Sequence, residues 1–558
     1  MKFEVIEKFY RQFIRTGYVF GICLLVVSLA HSKYGLSVSQ FFLAGSFALE
    51  RINLRKLRDE YVSEPRGRFL ILLLPRFLAS LVQSIFQGLK AFIHNKPAWV
   101  FSSILLFHIL GLIYTTDFEY AFKDLRTKLP IFLLPLFIST SSAFGRKNFY
   151  QILLLFSAAV VVRTLINSWT LFQGDYVDIR DVSKSVSHII LGLLISMVLF
   201  IQAFLIIKKP LCPLWVKILS GLTIVWLCVY LVITEAETGI VVTGLTFIIL
   251  MCVLVFRSRY LPMKLGLTFI IVVAAGSAIL YFMSVRKDYY SLKPVDLRHL
   301  ETVTRLGNPY THNINSHITE NGNPVYLYIQ WDELRFAWNK RSKINFDSLD
   351  KRNQPITFTI LRFLTSKGYR KDAEGISKLT DKEVDAIEKG VANYIFLEKF
   401  SLRGRIYELL WGYDEYRKTG NPTGSSLMQR LEFWRASVHL IRENWLLGVG
   451  TGDMNESFQK EYEKMHSKLA PDQRWRSHDQ FLSICVGFGL FGLAWFLLAI
   501  LYPPARLNEF MDYFFLIFFI IAMISMIPED TIESQAGVTF FAFFYSFFLF
   551  GRKEDDLI

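Results

Sequence analysis

What most constrains this chain is the repeated return of apolar runs that approach the thickness of a bilayer, with charge gathered between them. Roughly 20 apolar residues cross a hydrocarbon core of about 30 Å as a helix, which satisfies every backbone N–H and C=O internally. Twelve runs can be read, at 17–32, 36–49, 98–115, 129–143, 150–172, 187–207, 218–233, 239–256, 265–284, 480–501, 511–527 and 536–550. With 52% hydrophobic and 16% aromatic residues in 558, the chain holds more apolar surface than one soluble core needs. The expected fold class is an all-α polytopic membrane protein with about twelve transmembrane helices. A large, mostly helical external domain precedes the last three. The net charge of +14 would suggest nucleic acid in a soluble protein. Here much of it sits in short loops between apolar runs, where it sets topology, so no nucleic acid is expected.

Four regions follow: 1–97 with two spans and a basic cytoplasmic or interfacial segment, 98–284 as membrane core, 285–479 as a polar loop domain, and 480–558 with three spans and a short tail. The basic first residues before an apolar run resemble a signal peptide, but the many spans that follow favour an uncleaved first span. One set of short loops carries Arg51, Arg55, Lys56, Arg58, Arg146, Lys147, Lys208, Lys209, Arg257, Arg259, Arg552 and Lys553, whereas 235–238 and 529–535 carry no Lys or Arg. The first set is expected in the cytoplasm with both termini, the second outside with the 285–479 domain. Phe69–Leu89 is apolar but carries Arg76, and reads as an interfacial helix on the cytoplasmic face. None of the five cysteines (Cys23, Cys212, Cys228, Cys252, Cys485) lies in the polar domain, so it has no disulfide available, and no Cys/His spacing suggests zinc. Within that domain Asn323–Ile329 has strand composition, Asp332 can cap a helix through Arg341, and Ile356–Ser366 reads as a helix closed by Gly368. Thr380 and Glu383 form a capping box, and Ser401–Arg417 is a further helix.

The stretch Ser425–Leu482 is where chemistry in water could meet the membrane. Leu427, Leu431, Trp434, Val438, Ile441 and Trp445 form one apolar stripe of a helix. Arg430 falls roughly 60° to one side of it and Arg435 roughly 80° to the other, so the two diverge. Arg430 lies one turn from Trp434, within reach for a cation–π contact. An ordinary amphipathic helix with snorkelling arginines accounts for the same spacing. Gly448, Gly450 and Gly452 in LLGVGTGD could aim N–H groups at an anion, or could simply end the helix tightly. His478, following Arg474, Trp475 and Arg476 and just before a span, can serve as a general base or as a structural interfacial imidazole. Two outer loops add Lys123, Arg126 and Lys128, then Arg180, Lys184 and His188, and Glu235 and Glu237 occupy a short outer turn.

Taken in order, Arg430-x-x-x-Trp434, Ile441 to Gly452, His478-Asp479-Gln480-Phe481-Leu482 and Gly487 to Leu493 resemble the O-antigen ligase/polymerase superfamily of bacterial inner-membrane glycan enzymes. Asp117-Phe118, Asp124-Leu125-x-x-Lys128-Leu129-Pro130, Arg362 to Gly368, Glu529-Asp530 and Glu533-x-Gln535 resemble its Bacteroidota branch. The resemblance implies a glycan donor linked to a polyprenyl diphosphate, an acceptor such as lipid A–core, another glycan or a protein, and an active site facing the periplasm. It implies no cofactor and no metal. Carried over, Arg430 binds the donor diphosphate and His478 is the general base in an inverting transfer. Arg435, Arg180, Trp434, Gly450 and Gly452 are the further candidates for substrate binding. His478-Asp479 departs from the usual His-Asn, and Ala236-Glu237-Thr238-Gly239 from Ser-Arg-Thr-Gly. Ligase, polymerase and protein-transfer versions share these motifs. A transporter would instead show matched halves and charges within its spans, of which Arg163 is the clearest here.

Overall fold

Apolar runs without internal breakers should become helices, and in the computed structural model of the chain each of the twelve falls on a helix or a bent helix pair. Residues 2–552 are described, apart from 64–65, 142–144, 174–181, 184–185, 208–212, 297, 317 and 398–400. Among them, seven helices are long and apolar enough to cross a membrane: Phe3–His31, Lys147–Gln173, His188–Ile207, Leu214–Ile233, Glu237–Arg257, Leu261–Tyr290 and Gln480–Leu507. Lys96–Ser102 and Ile104–Tyr114, bent by 40°, supply an eighth if they count as one span. Pro130–Thr140, Tyr513–Ser525 and Gln535–Phe550 are helices of 11, 13 and 16 residues. At 1.5 Å per residue they fall short of the hydrocarbon thickness. Lys33–Glu50 is one helix of 18 residues, but Ser37, Ser39, Gln40 and Ser46 break its apolar run. Arg66–His94 is one continuous helix whose described residues expose Leu74, Leu78, Val82 and Phe86 at every fourth position.

The chain divides into two compact units, residues 1–257 with 430–558, and residues 258–429. The first boundary differs from the 285 read from polarity because Leu261–Tyr290 packs its end against Leu402–Thr419, through Val285, Tyr289 and Tyr407. The second boundary falls within the helix Ser426–Glu443, and residues 430–479 belong to the first unit.

In the first unit small residues let helices approach closely, as expected where lipid gives no hydrophobic drive between helices. A Cβ on Gly17 would stand 2.8 Å from Ser46 Oγ, and one on Gly192 would stand 3.0 Å from the Gly239 Cα. Gly239 thus has a packing reason independent of its altered motif. Short helix Gln535–Phe550 lies at the centre, buried from Ala536 to Leu549, with Tyr545 stacked on Phe101 at 3.9 Å.

The second unit has its own core around Trp338, Ile360, Phe363, Leu364 and Ile387. Ile356–Ser366 forms as read and Gly368 closes it at φ 73°. The Thr380–Glu383 capping box is present. Ser401 caps Leu402–Thr419, which ends on left-handed Gly420. Two readings change. Gln330 rather than Asp332 caps Trp331–Arg341, accepting from Glu333 N at 2.7 Å. The strand expected over Asn323–Ile329 shrinks to Asn323–Pro324 paired with Thr319–Glu320, since Pro324 lacks a donor and Tyr328 takes φ 57°.

Candidate functional site

The candidate site lies in the first unit, where three segments remote in sequence are fused by side-chain bonds. Asp479 caps the helix Gln480–Leu507, accepting from Leu482 N at 2.8 Å, and His478 precedes it in a left-handed conformation at φ 46°. Asp479 therefore does the capping work an asparagine could do equally, which accounts for the His-Asp departure. Gln480 is fully buried and joins this helix start to the segment 526–533. Its backbone N–H donates to Met526 O at 2.8 Å, its side-chain Oε1 accepts from Ile532 N at 2.8 Å, and its Nε2 donates to Glu533 Oε1 at 3.2 Å. Ser477 and Ser483 both donate to Asp530 Oδ1, at 3.4 and 2.8 Å.

That joint sets Glu529 beside His478. Glu529 Oε2 lies 3.2 Å from His478 Nδ1, and Oε1 accepts from Arg430 Nη2 at 2.9 Å. One carboxylate thus bridges the two residues that the sequence singles out. The helix Ser426–Glu443 supplies both its arginine and, one turn on, Phe433, whose ring stacks on His478 at 5.5 Å and 28°. Trp475 stands on the histidine at 5.9 Å. A carboxylate facing Nδ1 can only accept, so the neutral tautomer that fits donates from Nδ1 and has its lone pair on Nε2. Arg430 and His478 side chains remain 29% and 30% exposed, so both can be reached.

Beneath lies a buried charge network. Lys128, 1% exposed, bonds Asp124 and also Glu533 Oε2, the latter at 2.9 Å. Arg476 meets the same Glu533 oxygen at 3.2 Å, and His108 Nδ1 meets Asp124 at 3.0 Å. Asp124 and Lys128 are one turn apart on the helix Phe118–Lys128, so the motif spacing makes them a single ion pair. Burial alone would raise the Glu533 carboxyl, but Lys128 and Arg476 hold it below the ordinary range. Burial pushes Asp530 up. Burial would lower Lys128, and Asp124 with Glu533 outweigh it.

The other predicted residues behave differently. Arg435 points away and pairs with Glu432 at 3.0 Å. Trp434 is half-buried, and its Nε1 has no hydrogen-bond partner among the described residues. The cation–π contact anticipated between Arg430 and Trp434 does not form; the guanidinium goes to Glu529 instead. The helix also buries a different face. Met428, Glu432, Phe433, Ala436, Ser437 and Leu440 pack inward, while Leu427, Val438 and Trp445 of the predicted stripe are exposed. Polar Glu432 and Ser437, both buried, disguise the packed face.

The glycine turn is a joint rather than an open anion cradle. Gly450 N donates to Gly487 O at 2.9 Å and Gly452 N to Thr115 Oγ1 at 2.8 Å, so both amides are already engaged. Gly448, at φ 70°, brings its Cα so close to Gly487 and Phe488 that a Cβ would stand 2.3 Å from their backbone. Gly452 leaves no room for a Cβ beside Asp117 O at 2.0 Å. Asp453 completes the joint by accepting from Thr116 N and Asp117 N, both at 2.9 Å. Arg180 and Lys184 lie outside the described residues. Glu529 is the residue that sequence reasoning missed. Its sequence signal is the acidic Glu529-Asp530 pair in a loop without Lys or Arg.

Residues 385–497 match the family model described as O-antigen ligase. The match bears out the resemblance to the O-antigen ligase superfamily over about a fifth of the chain, including Arg430 and His478 but not Glu529. No curated protein matches the chain.

Proposed function

We propose that this multi-pass membrane protein is a glycosyltransferase that moves a glycan from a polyprenyl-diphosphate carrier to lipid A–core on the periplasmic face of the bacterial inner membrane. The observation that carries this reading is the Glu529 carboxylate bridging Arg430 and His478, within a chain that matches the O-antigen ligase family over 385–497. Arg430 binds the donor diphosphate, where a permanently charged planar guanidinium matches phosphate oxygens and offsets the charge of the leaving group. His478 Nε2 takes the proton of the acceptor hydroxyl as that oxygen attacks the anomeric carbon. The bond to the diphosphate breaks on the opposite side, so a single displacement inverts the centre. Glu529 is a positioning residue: it fixes the tautomer of His478, offsets the imidazolium that forms, and aims Arg430. Trp434, on the same helix as Arg430, is a candidate contact for the glycan, Arg435 has no part in this reading, and Arg180 is a candidate second diphosphate ligand. In this reading both termini are cytoplasmic, which the Lys/Arg-rich short loops support.

A deletion strain tests the acceptor. Free lipid A–core with accumulated long carrier-linked chains marks a ligase. Single-repeat caps mark a polymerase, and lost glycoprotein with normal lipopolysaccharide marks protein transfer. For the chemistry, His478→Ala and Arg430→Ala are expected to abolish transfer in protein that still purifies as a folded membrane species. A wild-type rate in either variant would sink the assignment. Activity that survives a chelator is expected if the arginine manages the diphosphate.

A further inference from the structure

Arg163 sits within the span Lys147–Gln173, about 15 Å along the helix from its C-terminal end at 1.5 Å per residue. It is 8% exposed. Its Nε has no hydrogen-bond partner, and no carboxylate lies within ion-pair distance among the described residues. An arginine at such depth is costly and is normally paired. Polar side chains on the same helix and its neighbours are bonded elsewhere. Asn167 Nδ2 donates to Tyr230 Oη at 2.9 Å, Trp226 Nε1 donates to Thr164 Oγ1 at 2.9 Å, and His31 Nε2 meets Ala159 O at 3.0 Å. Tyr230 and His31 are both near enough to feel the guanidinium charge.

What these groups leave over is donors. The guanidinium is uncommitted, the Tyr230 phenol accepts from Asn167 and keeps its own proton to give, and the Asn167 amide keeps a second N–H. No acceptor of matching charge is supplied by the described protein. Arg163 also borders the face its helix turns to lipid, since neighbours Val162 and Ile166 are 48% and 46% exposed. This border lies toward the end of the bundle that carries Glu529. His31 ends the first helix, and Ser37 just beyond accepts from Gln535, two residues after Glu533.

We propose that Arg163, with Tyr230 and Asn167, forms a second binding site that takes the phosphate of a membrane lipid. The chemistry is a guanidinium on phosphate oxygens in a low-dielectric setting, where such a pair is strong and specific. The lipid's chains would cover the apolar surface around Val162 and Ile166. The site does not depend on the transfer chemistry proposed above, because none of its residues belongs to the Arg430–Glu529–His478 cluster.

The test is lipid binding by the purified full chain, followed by native mass spectrometry. The probes are phosphatidylglycerol, a polyprenyl monophosphate, and diacylglycerol, which lacks the phosphate. The wild type should bind at least one phosphate lipid about tenfold more tightly than Arg163→Gln does, with diacylglycerol unchanged, and Arg163→Lys should retain most of the binding. Competition at equal concentration tells the sources apart: displacement by the polyprenyl lipid assigns the carrier, and displacement by phosphatidylglycerol assigns the bilayer. Equal affinity of wild type and Arg163→Gln for both phosphate lipids overturns the site. Should Arg163→Gln fail to fold, the wild type itself decides, since binding diacylglycerol as tightly as the phosphate lipids also overturns it.

Discussion

Replacing Glu529 by glutamine removes one charge and almost no volume, and the geometry says what is lost. The carboxylate receives Arg430 Nη2 at 2.9 Å on one oxygen and faces His478 Nδ1 at 3.2 Å on the other. An amide has a single acceptor oxygen. If that oxygen stays with Arg430, the amide N–H₂ faces Nδ1 and draws the imidazole into the other tautomer, with its proton on Nε2 where the acceptor hydroxyl must deliver. If it turns to His478, the N–H₂ opposes the guanidinium. Either way one hydrogen bond to a charged group is lost, a term of about 1.5–3 kcal/mol. At about 1.4 kcal/mol per decade this is roughly a 10- to 10²-fold fall in rate. A full tautomer switch would carry the loss toward the 10²–10⁴ typical of removing a general base. The assay is release of carrier diphosphate by purified protein in vesicles, with membranes of a deletion strain as the source of donor and acceptor. The fall should appear in kcat rather than KM if Glu529 acts through His478. In residual transfer, Glu529→Gln should cost less on top of His478→Ala than it does in the wild type, because only its contact with Arg430 is then left to lose. A wild-type kcat for Glu529→Gln, or penalties that simply multiply in the double variant, would refute the positioning role.

Other consequences follow from the buried network, the glycine joint and the second unit. Lys128→Met leaves Asp124 and Glu533 buried beside each other without their shared cation, and should cost about 3–5 kcal/mol; an unchanged melting temperature of the full chain in detergent would contradict it. Gly448→Ala should be far more damaging than Gly450→Ala. Both positions have positive φ, but a Cβ at 448 meets backbone at 2.3 Å whereas at 450 the nearest atoms are at 3.2 Å. Yields and melting curves that rank them in reverse would show the joint is misread. Lys371 is buried and donates to Leu327 O at 2.9 Å, and burial, with Arg370 adding, lowers its pKa to about 7. The unfolded chain binds that proton up to a pH of about 10.4. The unfolded state therefore holds more protons between pH 7 and 10, and stability rises with pH across that window, by a term on the order of 4 kcal/mol in full. Lys371→Met should lack this term, so the variant's melting advantage at pH 7 should shrink toward pH 10.

The sequence stretches that were legible are those whose signal is local. A capping box needs only Thr380 and Glu383, and both bonds form. The helix Ile356–Ser366 needs only its apolar pattern and a glycine to stop it. Arg430 and His478 stood out because each sits beside apolar residues at a membrane boundary. The carboxylate that joins them comes 99 residues after Arg430 and 51 after His478, and no period or spacing encodes it. The packed face of the Arg430 helix was hidden for a related reason. Glu432 and Ser437 are 3% and 0% exposed, and a pattern read as apolar-inside assigns them to the outside. That rule fails where a buried polar group has a partner: Glu432 accepts from Arg435 and Ser437 donates to Phe433 O. Internal pairing also explains the glycine turn, where backbone groups that could have met an anion are spent on Gly487 and Thr115. That expenditure is what holds residues 446–453 against the helix start that carries His478. Motif residues around a membrane site therefore divide into those that face the substrate and those that fix the geometry, and spacing alone does not separate them. Glu529 combines the two: it touches both reactive side chains and, through its neighbour Asp530, the serines that anchor the histidine loop.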